Sequence, residues 1–185
     1  MENLFVNVPG IGNSGEGHWQ TLWERKYSNF MRVDQYCWDF PVSSQWVLSL
    51  ERLVHAYQHH PIYLVAHSMG CHTIAQWAAK TKLRVEGALL VAPPDVARLE
   101  YTGRVSGYIP EPNGELPFRS VVVASSNDPY ASLAKAVKYA GIWGSQIVSV
   151  DRKGHINAGS ELGDWRQGLD LLSFLVRSDQ RKVAS

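Results

Sequence analysis

Three side chains far apart in the chain, Ser68, Asp128 and His155, are of the types that together make an activated nucleophile. A serine hydroxyl attacks poorly until a histidine takes its proton, and the histidine does so best when a carboxylate fixes its ring. Ser68 lies in Ala66-His67-Ser68-Met69-Gly70, after an apolar run and before a helical pattern. That is the context of a G-x-S-x-G elbow, with Ala66 in place of the first glycine. The turn is strained and crowded, so the positions two before and two after the serine must be small. A serine that merely caps the following helix would look the same within these five residues. The partners carry the argument. Asp128, in Ser126-Asn127-Asp128-Pro129-Tyr130, and His155, in Gly154-His155-Ile156-Asn157, each follow an apolar run read as a strand. The order Ser, Asp, His, with each residue at a strand end, suits nucleophilic acyl chemistry on an open sheet. Helix capping by Asp128 and a solvated loop position for His155 are the plainer readings. Asp95 also follows a strand end and is a rival acid, while Asp151 is a weaker rival because it lies so close to His155.

The elements that would position these groups alternate regularly. Apolar runs at Leu4–Val8, Met31–Gln35, Ile62–Ala66, Gly87–Ala92, Ser120–Ala124 and Gln146–Val150 read as strands. Helical patterns fall between them, beginning near His18, at Ser43 or Ser44, at Gly70, at Ala131 and at Leu162. Continuous β-branched runs separated by helices predict a parallel sheet covered on both faces. The expected fold is therefore α/β, with three layers and about six mostly parallel strands. The irregular stretch Pro93–Pro117 stands out, and a stretch of that kind in a compact domain is usually a functional loop or a small lid.

The 185 residues suit one domain, expected over 1–178, with 179–185 as a frayed tail. Lys+Arg 18 against Asp+Glu 17 leaves a net charge of +1, which points away from nucleic acid and acidic membranes. The N-terminal segment lacks the pattern of a signal peptide, and no apolar run approaches the ~18 residues of a membrane span. Cys37 and Cys71 form no framework. A cytoplasmic chain acting on a small molecule is expected, with any protein partner unspecified.

With these motifs in place, the sequence resembles the small bacterial and animal serine hydrolases grouped with retinoblastoma-binding protein 9 and YdeN, in the α/β-hydrolase superfamily. The matching pieces are Val8-Pro9-Gly10 with Gly17-His18-Trp19-Gln20, the elbow, Val91-Ala92-Pro93, and the Asp128 and His155 segments, spread over nearly the whole chain. The resemblance implies an α/β-hydrolase fold without a large cap domain. It also implies catalytic Ser68, Asp128 and His155 and esterase-like or amidase-like activity.

The implied function is cleavage of a small or medium acyl ester or amide through an acyl-enzyme on Ser68. An idle hydrolase-fold binding protein and an acyltransferase with the same residues are the alternatives. The oxyanion donors would be the N–H of Met69 and, by similarity to larger hydrolases, that of Ile11, with Gly10 or Gly12 as alternatives. Those enzymes often carry histidine where Pro9 stands, a departure that leaves a backbone donor intact. His18, Trp19, Tyr101 and Tyr108 are candidate pocket residues. No cofactor or metal is required. His55, His59 and His60 have a spacing that could hold a metal but read better as a solvated helix end. His67 is expected to shape the elbow, and Cys71 to belong to the core.

Overall fold

A computed structural model describes residues 2–183, with side chains through residue 177. Six strands are present, β1 (Leu4–Val8), β2 (Phe30–Arg32), β3 (Ile62–His67), β4 (Gly87–Val91), β5 (Arg119–Ser125) and β6 (Gln146–Val150). They form one sheet in the order β2-β1-β3-β4-β5-β6, and every neighbouring pair is parallel. The chain starts near the middle of the sheet, runs to one edge, and returns to build the other. That reversal creates a crevice at the C-terminal ends of β1 and β3.

The helices are α1 (Trp19–Lys26), α2 (Ser43–Ala56), α3 (Met69–Ala78), α4 (Val96–Tyr101), α5 (Leu133–Trp143) and α6 (Arg166–Val183). Alternate strand residues face opposite layers. Leu64, Ala66, Ala88 and Leu90 meet Leu50 and Val54 of α2, Cys71, Ile74 and Trp77 of α3, and Tyr139 and Trp143 of α5. Tyr63, Val65, Leu89 and Val91 meet Trp19 and Trp23 of α1, with Leu172 and Leu175 of α6. The three layers expected from the strand pattern are thus observed. β3 and β4 are buried at every residue, whereas β6 at the edge is largely exposed. Polar-out alternation fails only where both faces are covered.

Several local boundaries differ from expectation. The second strand ends at Arg32, because Arg32 is drawn into hydrogen bonds with the loop after β1. Helix α2 is preceded by Val42 and has no side-chain cap. The stretch 93–117 contains a helix, α4, and a small apolar cluster of its own. There Val96, Val105 and Tyr108 pack on Trp46 and Met69. It is therefore fastened to the domain, with no separate cap. The tail expected from residue 179 is helical as far as Val183, and residues 184–185 lie outside the described residues. No helix among the described residues is long and apolar enough to cross a membrane.

One contact couples the sheet to α3. A Cβ at Gly70 would stand 1.9 Å from the Val8 carbonyl oxygen at the end of β1. Alanine improves an exposed helix interior by about 1 kcal/mol over glycine, but here the clash is with backbone that cannot yield. Gly70→Ala is expected to lower unfolding free energy by ~3 kcal/mol or more, read from urea unfolding midpoints. An unchanged or raised midpoint would show that β1 and α3 can separate.

Candidate active site

The first residue after β3 is Ser68, with φ 55° and ψ −124°. This is a region that L-residues rarely adopt. The conformation turns the chain sharply from β3 into α3 and leaves the hydroxyl at the sheet edge. The tight space around it explains the small neighbours. A Cβ at Gly10 would lie 2.6 Å from Ser68 Cβ, so the loop after β1 presses directly against this serine.

The Ser68 hydroxyl donates to His155 Nε2 at 2.9 Å. On the other side of the ring, His155 Nδ1–H donates to Asp128 at 2.8 Å (Oδ2) and 3.0 Å (Oδ1). These partners fix the tautomer with the proton on Nδ1. The Asp128 side chain is only 4% exposed and also accepts from Tyr130 N–H at 2.8 Å. The structure thus brings together all three residues singled out from sequence. It separates the rivals: Asp95 precedes α4 and faces Lys135 at 3.0 Å, while Asp151 accepts from Ser126 Oγ.

Hydrogen bonds that sequence reasoning did not foresee hold the acid and histidine loops together. Ser125 Oγ accepts from Lys153 N–H, Asn127 Oδ1 accepts from Gly154 N–H, and Ser126 Oγ accepts from Arg152 N–H. His67 Nε2–H donates to the His155 carbonyl at 2.8 Å, so the residue before Ser68 anchors the backbone of its histidine partner. His67 thus has the supporting place expected for it. Cys71 is fully buried in the core, and burial pushes its thiol pKa far up.

Two backbone donors border Ser68. Met69 opens α3, where first-turn N–H groups lack helical acceptors. In the loop after β1, Gly12 N–H bonds Trp38 O and Asn13 N–H bonds Gly10 O, and Ile11 N–H has no acceptor among the described residues. Arg32 braces this loop by donating to Asn13 Oδ1, Ser14 O and Thr21 Oγ1, while its Nε pairs with Glu24 at 2.9 Å. An arginine on a neighbouring strand gave no sequence signal of this role.

A cleft of about 350 Å³ opens over Ser68 and His155. His18 lines it, as expected. Three other candidate pocket residues are corrected. Trp19 is buried beneath the site, where its indole N–H holds the Ile156 carbonyl at 2.8 Å and its ring packs on Trp23 and Trp165. Tyr108 is buried in the small cluster under the 93–117 segment, and its hydroxyl pairs with Thr73 Oγ1. Tyr101 is 92% exposed and stands away from the cleft, because it ends α4 on the solvent side. The walls instead include Tyr130, whose ring centroid lies 4.5 Å from that of His155, and Leu99, Arg104 and Asn157. The motif around Asp128 could have indicated Tyr130. A larger surface groove, about 500 Å³ beside β2 and α6, is remote from these groups.

The family model for serine hydrolases matches residues 5–174. The chain belongs to the serine hydrolase family. A YdeN-like hydrolase from Pectobacterium atrosepticum has a similar structure, with 31% identity, a TM-score of 0.83, and coverage of 94% of this chain and 90% of that one. The ydeN gene product of B. subtilis is 19% identical with a TM-score of 0.76, covering 96% of this chain and 100% of that one. Est1E from Butyrivibrio proteoclasticus, solved with ferulic acid bound, shares the fold at 12% identity and a TM-score of 0.67, covering 100% of this chain and 90% of that one. A search of the curated proteins gives no match. The chain is thus YdeN-like and has the α/β-hydrolase fold without a large cap.

This serine hydrolase buries three further histidines that stay neutral. Burial, aided by the nearby Arg32 charge, lowers the His18 pKa from 6.5 to about 3. Burial lowers His67 well below 6.5, and lowers His72 to about 4 despite its hydrogen bond to the Pro94 carbonyl. Each binds a proton in the unfolded chain at a pH where the folded chain does not. Stability is therefore full above about pH 6.5 and falls as pH drops, by about 1.4 kcal/mol per pH unit for each such histidine. His72→Gln lies in α3 behind the site and should flatten the slope of unfolding free energy against pH by one proton between pH 4 and 6.5. An unaltered slope in urea titrations would mean that His72 is protonated in the fold.

Proposed function

We propose that this serine hydrolase cleaves a carboxylic ester or amide of a small or medium acyl group through an acyl-enzyme on Ser68. One observation carries the reading. His155 Nε2 lies 2.9 Å from Ser68 Oγ while Asp128 holds the opposite ring nitrogen. In the first half-reaction Ser68 Oγ attacks the acyl carbonyl as His155 takes its proton. The carbonyl oxygen becomes an oxyanion, facing the N–H groups of Met69 and Ile11. Collapse expels the alcohol or amine, which receives the proton from His155. In the second half-reaction His155 takes a proton from water as it attacks the acyl carbon; the acyl–Oγ bond then breaks, Ser68 Oγ takes that proton from His155, and the acid leaves. Asp128 keeps the tautomer and stabilises each transient imidazolium.

The cleft volume of about 350 Å³ lies at the small end of ~300–1,000 Å³ ligand sites. That size favours short acyl groups over long ones. The donor arrangement requires no metal, and the expected partner is a small acyl substrate.

A fluorophosphonate probe should label the folded protein and fail to label Ser68→Ala. Absence of labelling in the wild type would favour a binding protein on a hydrolase scaffold. Asp128→Asn should lower kcat for a short-chain p-nitrophenyl ester by ~10³–10⁴-fold, and Asp95→Asn by little. A large loss in the second variant alone would reassign the acid.

A further inference from the structure

The cleft is one-sided in its permanent charge. The amide oxygens of its two asparagines, and the Asp128 carboxylate behind His155, are taken within the protein. Asn13 Oδ1 accepts from Arg32 and Ser14 N–H, Asn157 Oδ1 accepts from Gly159 N–H, and Asp128 is held by His155 and Tyr130 N–H. Two of its donors have no partner among the described residues. His18 is 4% exposed; its Nδ1 accepts from Gln20 N–H at 3.2 Å, which leaves the proton on Nε2, and that buried Nε2–H bonds nothing. Arg104 lines the cleft and is in no ion pair or side-chain hydrogen bond. It is the one permanently charged side chain of the lining.

Arg104 is unpaired because the acids near it in sequence are occupied elsewhere. Glu100 caps the N–H groups of Gly107, Tyr108 and Ile109, and Asp95 faces Lys135. Nor is Arg104 carried on a loose strap. Its own N–H bonds Leu99 O, the next residue Val105 is buried, and Ser106 bonds Pro41 and Ser43 across the segment. The backbone of Arg104 is thus fixed at the cleft wall while its exposed side chain is free to meet a ligand, and a guanidinium is suited to paired hydrogen bonds with a carboxylate.

We propose that the substrate carries a carboxylate, and that Arg104 binds it while Ser68 attacks an ester or amide elsewhere in the molecule. The substrate class is then a half-ester or half-amide of a dicarboxylic acid, or an acyl compound with a comparable free acid group. The inference rests on the hydrolase reading above. Within it, Arg104 sets specificity: it contacts the remote carboxylate and takes no part in bond breaking.

The test compares mono-4-methylumbelliferyl esters of succinate, glutarate and adipate with the neutral butyrate, pentanoate and hexanoate esters. At least one acid ester should exceed its neutral counterpart in kcat/KM by about tenfold at low salt, chiefly through KM. That ratio should shrink at high salt. Arg104→Gln should bring the ratio to about one, and Arg104→Lys should restore part of it. Fluorophosphonate labelling together with equal use of acid and neutral esters would overturn the carboxylate proposal alone. So would an acid preference that survives Arg104→Gln. Loss of all ester cleavage together with absent labelling would overturn the hydrolase reading and this inference with it.

Discussion

Gly70 and the end of β1 approach so closely that no side chain fits between them, and this contact governs the geometry of the site. A Cβ at Gly70 would fall 1.9 Å from Val8 O, and one at Gly10 would fall 2.6 Å from Ser68 Cβ. The strand end, the loop after it and the start of α3 are therefore stacked at backbone distance. Such stacking holds Ser68 in a left-handed conformation that would otherwise relax. It also places Ile11, the residue after Gly10, in the same cleft lining as Ser68. The strain at Ser68 and the close packing of the loop after β1 have a common cause, the missing side chains at positions 10 and 70.

The other half of the site is fixed by polar contacts. Ser125, Ser126 and Asn127 end β5 and hold the backbone of residues 152–154, which follows β6. Because β5 and β6 are parallel neighbours, a short hydrogen-bonded seam between their ends sets the separation of Asp128 and His155. From below, Trp19 holds the carbonyl of Ile156, and His67 holds that of His155. The histidine loop is thus tied to α1, to β3 and to the acid loop. Burial keeps His67 neutral, so this anchor adds no positive charge beside the His155 ring.

Those two halves were unequally legible in the sequence. Ser68, Asp128 and His155 could be read because each chemistry-bearing type sits just after an apolar run, and strand order brings strand ends to one edge. The three layers were legible for the same reason, since β3 and β4 are covered on both faces and their apolar runs are unbroken. Trp19, Tyr101 and Tyr108 were misjudged because an aromatic residue near a motif may face the cleft, the core or solvent, and composition does not distinguish these. Trp19 went to the core as a bracing donor, Tyr108 to a satellite cluster and Tyr101 to solvent. Arg32 and Ser125 were illegible for a different reason. Their work is to bond backbone groups in distant loops, and no local pattern records a partner of that kind.

The segment between Pro93 and Pro117 shows how a chain without a cap domain can still shape its cleft. Val96, Val105 and Tyr108 bury themselves against Trp46 and Met69, and Glu100 gathers three backbone N–H groups. His72, kept neutral by burial, reaches from α3 to the Pro94 carbonyl where the segment begins. These contacts make the segment a wall of the domain instead of a closing flap. Selectivity then rests on the groups that line this wall. Leu99 and Arg104 project from that wall into the cleft, one apolar and one charged. Substitutions along this wall can therefore change which substrate is accepted without touching the contacts at positions 10 and 70 that hold Ser68 in its strained turn.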